Sequence, residues 1–214
     1  MHNPVLFKDR HDGGQKLAQE LKKLDLKNPV VLAVPSGGVP VGVEVAKELN
    51  CPFDLVIVRK IQYPETTEAG FGAVAPNGTC FLNPRVPKPS PEVIKIQTEK
   101  AIKEVKHREK EFLKGRKRVN VKDKTAILVD DGLAAGSTMA TAVAWVRKKK
   151  PAQILVAAPT ASGGAIELLE NEANKVVTLY QHPKNLPFAV ASSYKEWHDL
   201  TDKEVIEYLQ SIEV

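Results

Sequence analysis

Cysteine is scarce in this chain: Cys51 and Cys80 are its whole supply. Two thiols without metal-ligand spacing exclude a disulfide-built scaffold and a cysteine-held metal site. They read as reduced, and the expected compartment is the cytoplasm. Long apolar runs are missing too. None approaches the roughly 18–20 residues that a membrane span needs. The opening Met1-His2-Asn3-Pro4 has neither the basic nor the apolar block of a secretory signal. Two nucleotide signatures are absent: no Gly-Lys-Ser/Thr follows a glycine loop, and no GxGxxG occurs. A phosphatase nucleophile or a kinase nucleotide loop is likewise not found.

What remains is an ordinary globular mixture, 43% hydrophobic and 27% charged over 214 residues, long enough to bury a large core. The net charge of +5 suits anionic partners, whether phosphorylated metabolites or nucleic acid, and also fits a merely solvated basic surface.

Five short apolar runs rich in β-branched residues stand out at 30–34, 55–58, 125–129, 154–157 and 176–179. None alternates with polar residues, as befits parallel strands covered on both faces. Helical stretches lie between most of them. The segment 40–49 opens on Pro40, which a first helical turn tolerates. The segment 138–150 follows Ser137, a candidate N-cap, and ends in Arg147-Lys148-Lys149-Lys150 before Pro151. A third spans 165–172. The alternation predicts an α/β fold: a doubly wound, mainly parallel sheet with helices on both faces. If the five strands run in the order 2-1-3-4-5, the first and third are neighbours where the order reverses.

Between the second and third runs lies an insertion. Residues 62–70 are polar and read as a mobile loop. Residues 71–75 and 79–82 flank Pro76-Asn77-Gly78, whose Asn-Gly pair signals a hairpin. Pro84, Pro87, Pro89 and Pro91 stiffen a linker into a charged helix at 92–113, and Thr201 and Glu204 have capping-box spacing before a final helix at 202–212.

Ligands of open α/β sheets sit beyond the carboxyl ends of the strands. The first run leads into Pro35-Ser36-Gly37-Gly38 and the third into Asp130-Asp131-Gly132-Leu133-Ala134-Ala135-Gly136-Ser137-Thr138. The second of these loops is made of small residues and enters a helix, so its free N–H groups attract an anion, most naturally phosphate. Ser137 and Thr138 add hydroxyl donors. Two acids at the mouth of a phosphate site must face another part of the ligand. Vicinal hydroxyls fit, because a carboxylate accepts hydrogen bonds from both. A phosphate close to a diol describes a ribose 5-phosphate. The bland reading of this string is an Asp-Gly turn before a capped helix.

Ala126 through Thr138 closely resembles the motif with which type I phosphoribosyltransferases bind 5-phosphoribosyl-1-pyrophosphate (PRPP). The likeness of the core covers roughly residues 28–180, with terminal segments like those of a poorly characterised branch. The resemblance implies that Asp130 and Asp131 bind the ribose hydroxyls, and that Gly132 and Ala134 through Thr138, with Ala135, Gly136 and Ser137 between, cradle the 5-phosphate. It places Ser36, Gly37 and Gly38 in the pyrophosphate loop and makes Arg59 and Lys60 a basic pair on pyrophosphate. By position, though not by sequence, it implies that 62–70 closes over the sugar, with the roles of Glu65 and Glu68 left open. It further implies Mg2+ carried by the substrate, with no dedicated protein metal ligands, transfer of ribose 5-phosphate to a nitrogen acceptor with loss of pyrophosphate, and a homodimer. Relatives that take hypoxanthine or guanine have an aspartate where Ala134 stands, which leaves adenine, pyrimidine and non-base acceptors open.

The acceptor pocket is expected in a small hood from the termini, about 1–15 and 186–200, with Thr160-Ala161-Ser162 as a wall. Phe188, Tyr194, Trp197 and His198 offer surfaces for a planar base or, equally, pack the hood onto the core. Arg10 and a basic role for His198 rest on position alone. A competing reading is a PRPP-sensing regulator that binds nucleic acid through 114–118 and 147–150, although no recognition helix is seen.

Overall fold

A computed structural model describes residues 5–66, 69–184, 186 and 188–212. Five strands form one parallel sheet: β1 (Pro29–Ala33), β2 (Phe53–Leu55), β6 (Thr125–Val129), β7 (Gln153–Ser162) and β8 (Lys175–His182). Their order, β2-β1-β6-β7-β8, is the expected 2-1-3-4-5, so β1 and β6 are adjacent at the reversal. The inserted hairpin is present as a separate antiparallel sheet of β3 (Arg59–Gln62), β4 (Gly70–Val74) and β5 (Cys80–Leu82).

The pleat sorts the core strand by strand. Val30, Leu32, Ala126, Leu128, Ile154 and Val156 face one side and pack with Met139, Val143 and Leu169 from α4 (Ser137–Arg147) and α5 (Gly163–Glu170). Val31, Ala33, Ile127, Val129, Leu155 and Ala157 face the other. There they meet Leu17 and Leu21 of α1 (Arg10–Lys22), Val41 and Val45 of α2 (Gly38–Leu49), and Val205 and Leu209 of α6 (Asp202–Gln210). Both faces are covered, which is why the strands lack alternation in sequence. The long helix α3 (Pro91–Phe112) joins the two bodies: Val105 and Phe112 enter the main core, and Ala101 packs on Ile61, Phe71 and Val74 of the small sheet.

Several features differ from the sequence reading. The run 55–58 pairs only as far as Leu55; Val56, Ile57 and Val58 are apolar because they are buried beyond the ladder. Arg59 and Lys60 therefore open the small sheet instead of closing the second strand. The position before α4 is Gly136, and Ser137 is the first helical residue, with no side chain capping the turn. The N-terminal helix α1 has no counterpart in the sequence reading, because Gly13 and Gly14 depress its helical propensity while serving close packing on Pro159 and Val41. Among the described residues no helix is long and apolar enough to cross a membrane, and Cys51 and Cys80 are unbonded thiols.

Leu128, fully enclosed in the central strand, tests this core. Leu128→Ala should lower unfolding free energy by about 2–5 kcal/mol in urea denaturation. A loss below about 1 kcal/mol would show that the central strand is not packed as described.

Candidate active site at the end of the central strand

β6 delivers Asp130 and Asp131 to the carboxyl edge of the sheet, and the chain then turns through Gly132–Gly136 into α4. The extension of β7 holds that turn from below. Leu133 N–H donates to Thr160 O at 3.0 Å, Ser162 N–H donates to Leu133 O at 2.9 Å, and Ser162 Oγ–H donates to Ala134 O at 2.6 Å. The predicted wall at 160–162 is thus the brace of the loop. Gly136 sits at φ +78°, a left-handed conformation that favours glycine, and it aims the following amides outward. The N–H groups from Ala134 through Thr138 make no hydrogen bond with any described residue. Five such donors at a helix start form an anion site.

A cavity of about 350 Å3 opens on this turn, lined by Asp130, the segment 132–139, Lys60, Ala69, Gly70 and Gly72. Lys60 is the one cationic side chain among the described residues that line this cavity. The hairpin also buttresses the helix start, since buried Asn83 donates from Nδ2 to Ser137 Oγ at 3.0 Å. A larger cavity, about 650 Å3, lies along the β2 edge near Cys51, Phe53 and Arg118 and includes none of these residues. Its lining has no carboxylate, and burial pushes the Cys51 thiol up to about 11, so it offers no activated group.

The two acids differ in their partners. Asp131 is buried and accepts from Arg10 Nε at 2.8 Å. Asp130 accepts from the Asp131 N–H at 2.9 Å and lines the cavity. Burial first, and then the neighbouring Asp131 charge, raise the Asp130 pKa well above 3.8. Burial raises Asp131 as well, against the opposing pull of Arg10. Two desolvated carboxyls in contact cannot both ionise cheaply. Of the two, Asp130 is pushed further towards its protonated form, because Arg10 stabilises charge on Asp131.

The turn after β1 meets these acids. A Cβ at Gly37 would lie 1.9 Å from Asp131 Oδ2, so no other residue fits there. Ser36 and Gly37 are half-buried, Gly38 is buried against Asp130, and the Pro35–Ser36 peptide is cis.

Of the residues singled out from sequence, the structure gathers Lys60, Asp130, Gly132 and 134–138 on one cavity, with Gly37 against Asp131 and Gly38 against Asp130 beside it; Ser36 precedes them in the turn after β1. Arg59 stands apart: its Nε bonds Glu104 Oε2 of α3 at 2.8 Å and it does not line the cavity. Strand geometry explains this, since adjacent residues of β3 face opposite sides. Glu65 lies in the connection between β3 and β4; Glu68 falls outside the described residues. His198 pairs with Glu204 at 2.8 Å on the surface, its side chain 66% exposed, and Phe188 stacks on His182 with ring centroids 4.2 Å apart. Arg10 and Tyr194 bond Asp131, and Trp197 packs on both of them; lone residues of one hood give no spacing signal.

The acids carry a prediction with two opposite signs. An acid whose pKa is raised by folding costs stability that grows as pH climbs above its ordinary value, here 3.8. Asp130→Asn should therefore raise the melting temperature at pH 8 and lose that gain as pH falls towards 4, while weakening the binding of a ribose phosphate. Melting curves across pH check it; an Asp130→Asn protein destabilised equally at every pH would contradict the direction of that shift.

Comparisons with known proteins agree with this geometry. Residues 8–191 match the family model of the phosphoribosyl transferase domain. A Mycobacterium tuberculosis protein described as "Putative phosphoribosyl transferase" is 35% identical over 207 residues, 95% of this chain and 46% of that protein. The chain thus spans about half the length of the curated relatives it matches. The crystal structure of TT1426 from Thermus thermophilus is 34% identical, with a TM-score of 0.78 over 95% of this chain and 97% of that one. The AQ2163 protein of Aquifex aeolicus, 12% identical with a TM-score of 0.50 over 82% of this chain and 76% of its own, shares the fold. Motif, sheet order and family match converge: the chain belongs to the phosphoribosyl transferase domain family.

Proposed function

We propose that this chain transfers the ribose 5-phosphate of PRPP to a nitrogenous acceptor, most naturally a nucleobase, and releases pyrophosphate. The observation that carries the reading is the row of amides at 134–138, without partners among the described residues, beside an acid pair of which Asp131 is buried and Asp130 lines the cavity. The amides and the Ser137 and Thr138 hydroxyls take the 5-phosphate. Asp130 and Asp131 take the ribose diol. Lys60, in the cavity lining, and the turn at 36–38 take the pyrophosphate; Arg59 is left to α3.

Displacement at the anomeric carbon passes through an oxocarbenium-like state, so the protein's work is positioning and charge stabilisation. The buried carboxylate of Asp131 supports cationic character on the sugar. The amides hold the far end of the substrate still while the anomeric bond breaks. The pyrophosphate leaves towards the ammonium of Lys60. Closure of the β3–β4 connection over the crevice would keep water from the activated sugar.

Magnesium fits as a passenger of the substrate. Among the described residues no three acids, histidines or cysteines gather as a cage, and Asp130 is the one carboxylate lining the cavity. Asp130 would be the residue at hand for such an ion, which commonly keeps water and ligand oxygens in its shell. When bound, it neutralises charge on the leaving group. The acceptor enters from the hood side. The alanine at 134 disfavours hypoxanthine and guanine, and adenine, pyrimidine or non-base acceptors remain. A homodimer and a cytoplasmic setting belong to the same proposal, by likeness to the family.

A thermal-shift screen with PRPP, magnesium and a panel of bases tests it. PRPP at a hundred times its Kd should add about 2.7 kcal/mol of stability. In a pyrophosphate-release assay, Asp131→Asn should lower kcat/KM by about tenfold to a hundredfold or more, the worth of a charge-assisted hydrogen bond, with the fold intact. Turnover by Asp131→Asn equal to that of the native protein would sink the assigned role.

A further inference from the structure

We infer that Arg10 is a positioning residue, which holds the Asp131 carboxylate in place for the ribose hydroxyls and ties that placement to the seating of the terminal hood. The inference rests on the proposed function above and deepens it.

Arg10 is a cation almost out of reach of water, 7% exposed, in the first turn of α1. Three contacts of different kinds fix its guanidinium. Nε donates to Asp131 Oδ2 at 2.8 Å, across 121 residues of chain. Nη1 donates to the His198 carbonyl at 2.9 Å. Its Cζ lies over the Trp197 ring, 3.8 Å from the ring centre. A planar group with two hydrogen bonds and a ring against it is restricted in orientation. Its direction therefore sets the direction of the carboxylate it bonds.

The same hood grips Asp131 a second time. Tyr194 Oη–H donates to the Asp131 carbonyl at 2.6 Å, and burial keeps that phenol protonated far above its ordinary pKa. The N-terminal segment and the C-terminal one are stitched together beside it. Leu6 and Phe7 N–H donate to Ser193 O, Lys195 N–H to Phe7 O and Glu196 N–H to Lys8 O, and the Phe7 and Tyr194 rings meet at 5.5 Å. Backbone and side chain of one acid are thus both held by elements that belong to the hood and not to the sheet.

The contact is also single-pointed. An arginine that served only to neutralise a carboxylate would gain most by gripping both oxygens with its fork. Here one N–H meets Oδ2 and the pair leaves Oδ1 outside it. Asp130, one residue away, accepts no hydrogen bond from a cation among the described residues. Of the two neighbouring acids, only Asp131 is fixed by a cation; Asp130 is held by the Asp131 N–H.

Calorimetric titration of PRPP with magnesium into the native chain, Arg10→Lys, Arg10→Met, Asp131→Asn and the Arg10→Lys/Asp131→Asn pair tests this, with melting curves for each. Arg10→Gln replaces the methionine variant if that one fails to fold. The neutral variant should bind at least tenfold more weakly and Arg10→Lys should recover part of the loss. On the Asp131→Asn background, Arg10→Lys should change affinity less than twofold, because the carboxylate it orients is gone. Native affinity in both Arg10 variants, equal loss in the charged and neutral variants, or the same Arg10→Lys effect on both backgrounds overturns the inference while leaving PRPP binding standing. If the native chain binds no PRPP, the proposed function falls with it.

Discussion

Five consecutive amides with no partner among the described residues, held open beside two adjoining acids whose pKa values burial raises, impose the requirement around which the fold is arranged. Backbone donors near a helix start are ordinarily met by a cap, by water or by a ligand. Here Gly136 takes the capping position and supplies no side chain, so the amides are left to water or to a ligand. Buried acids are ordinarily paired with a cation, and among the described residues only one of these is. The two halves of the site ask for different partners: the amides suit an anion, and Asp130 beside a paired Asp131 suits hydroxyls. A sugar phosphate answers both with one molecule.

The rest of the architecture follows from keeping that turn open. The central strand β6 is flanked by β1 and β7 over their whole paired lengths, so the acids emerge from the most rigid part of the sheet. β7 outruns its neighbours to brace the loop from beneath. The small sheet leans on α4 from the side and brings Lys60 over the cavity, and the turn after β1 comes so close that Gly37 cannot carry a side chain. The hood closes the fourth side through Arg10 and Tyr194. Elements from almost the full length of the chain meet within one crevice.

Much of this could be read from the residues. The run 125–129 matched its strand to the residue, the order of the five strands was as drawn, and Asn77-Gly78 turned the hairpin where the pair said it would. These features are local or topological: an apolar run of strand length, a turn type, a crossover rule. Long-range partners were less legible. Nothing in the neighbourhood of Arg59 announces Glu104, so the basic pair read as one unit is split between the two faces of β3. Nothing around Arg10 announces Asp131, because the contact exists only once two termini cross over the sheet. The glycines of α1 hid a helix, since propensity counts their cost and not the close packing that offsets it.

A crystal of the chain grown with PRPP and magnesium tests the central claim most directly. The 5-phosphate should sit on the amides of 134–138, with the ribose diol turned to Asp130 and Asp131. Phosphate density elsewhere in the molecule, with those amides bonded only to water, would contradict it.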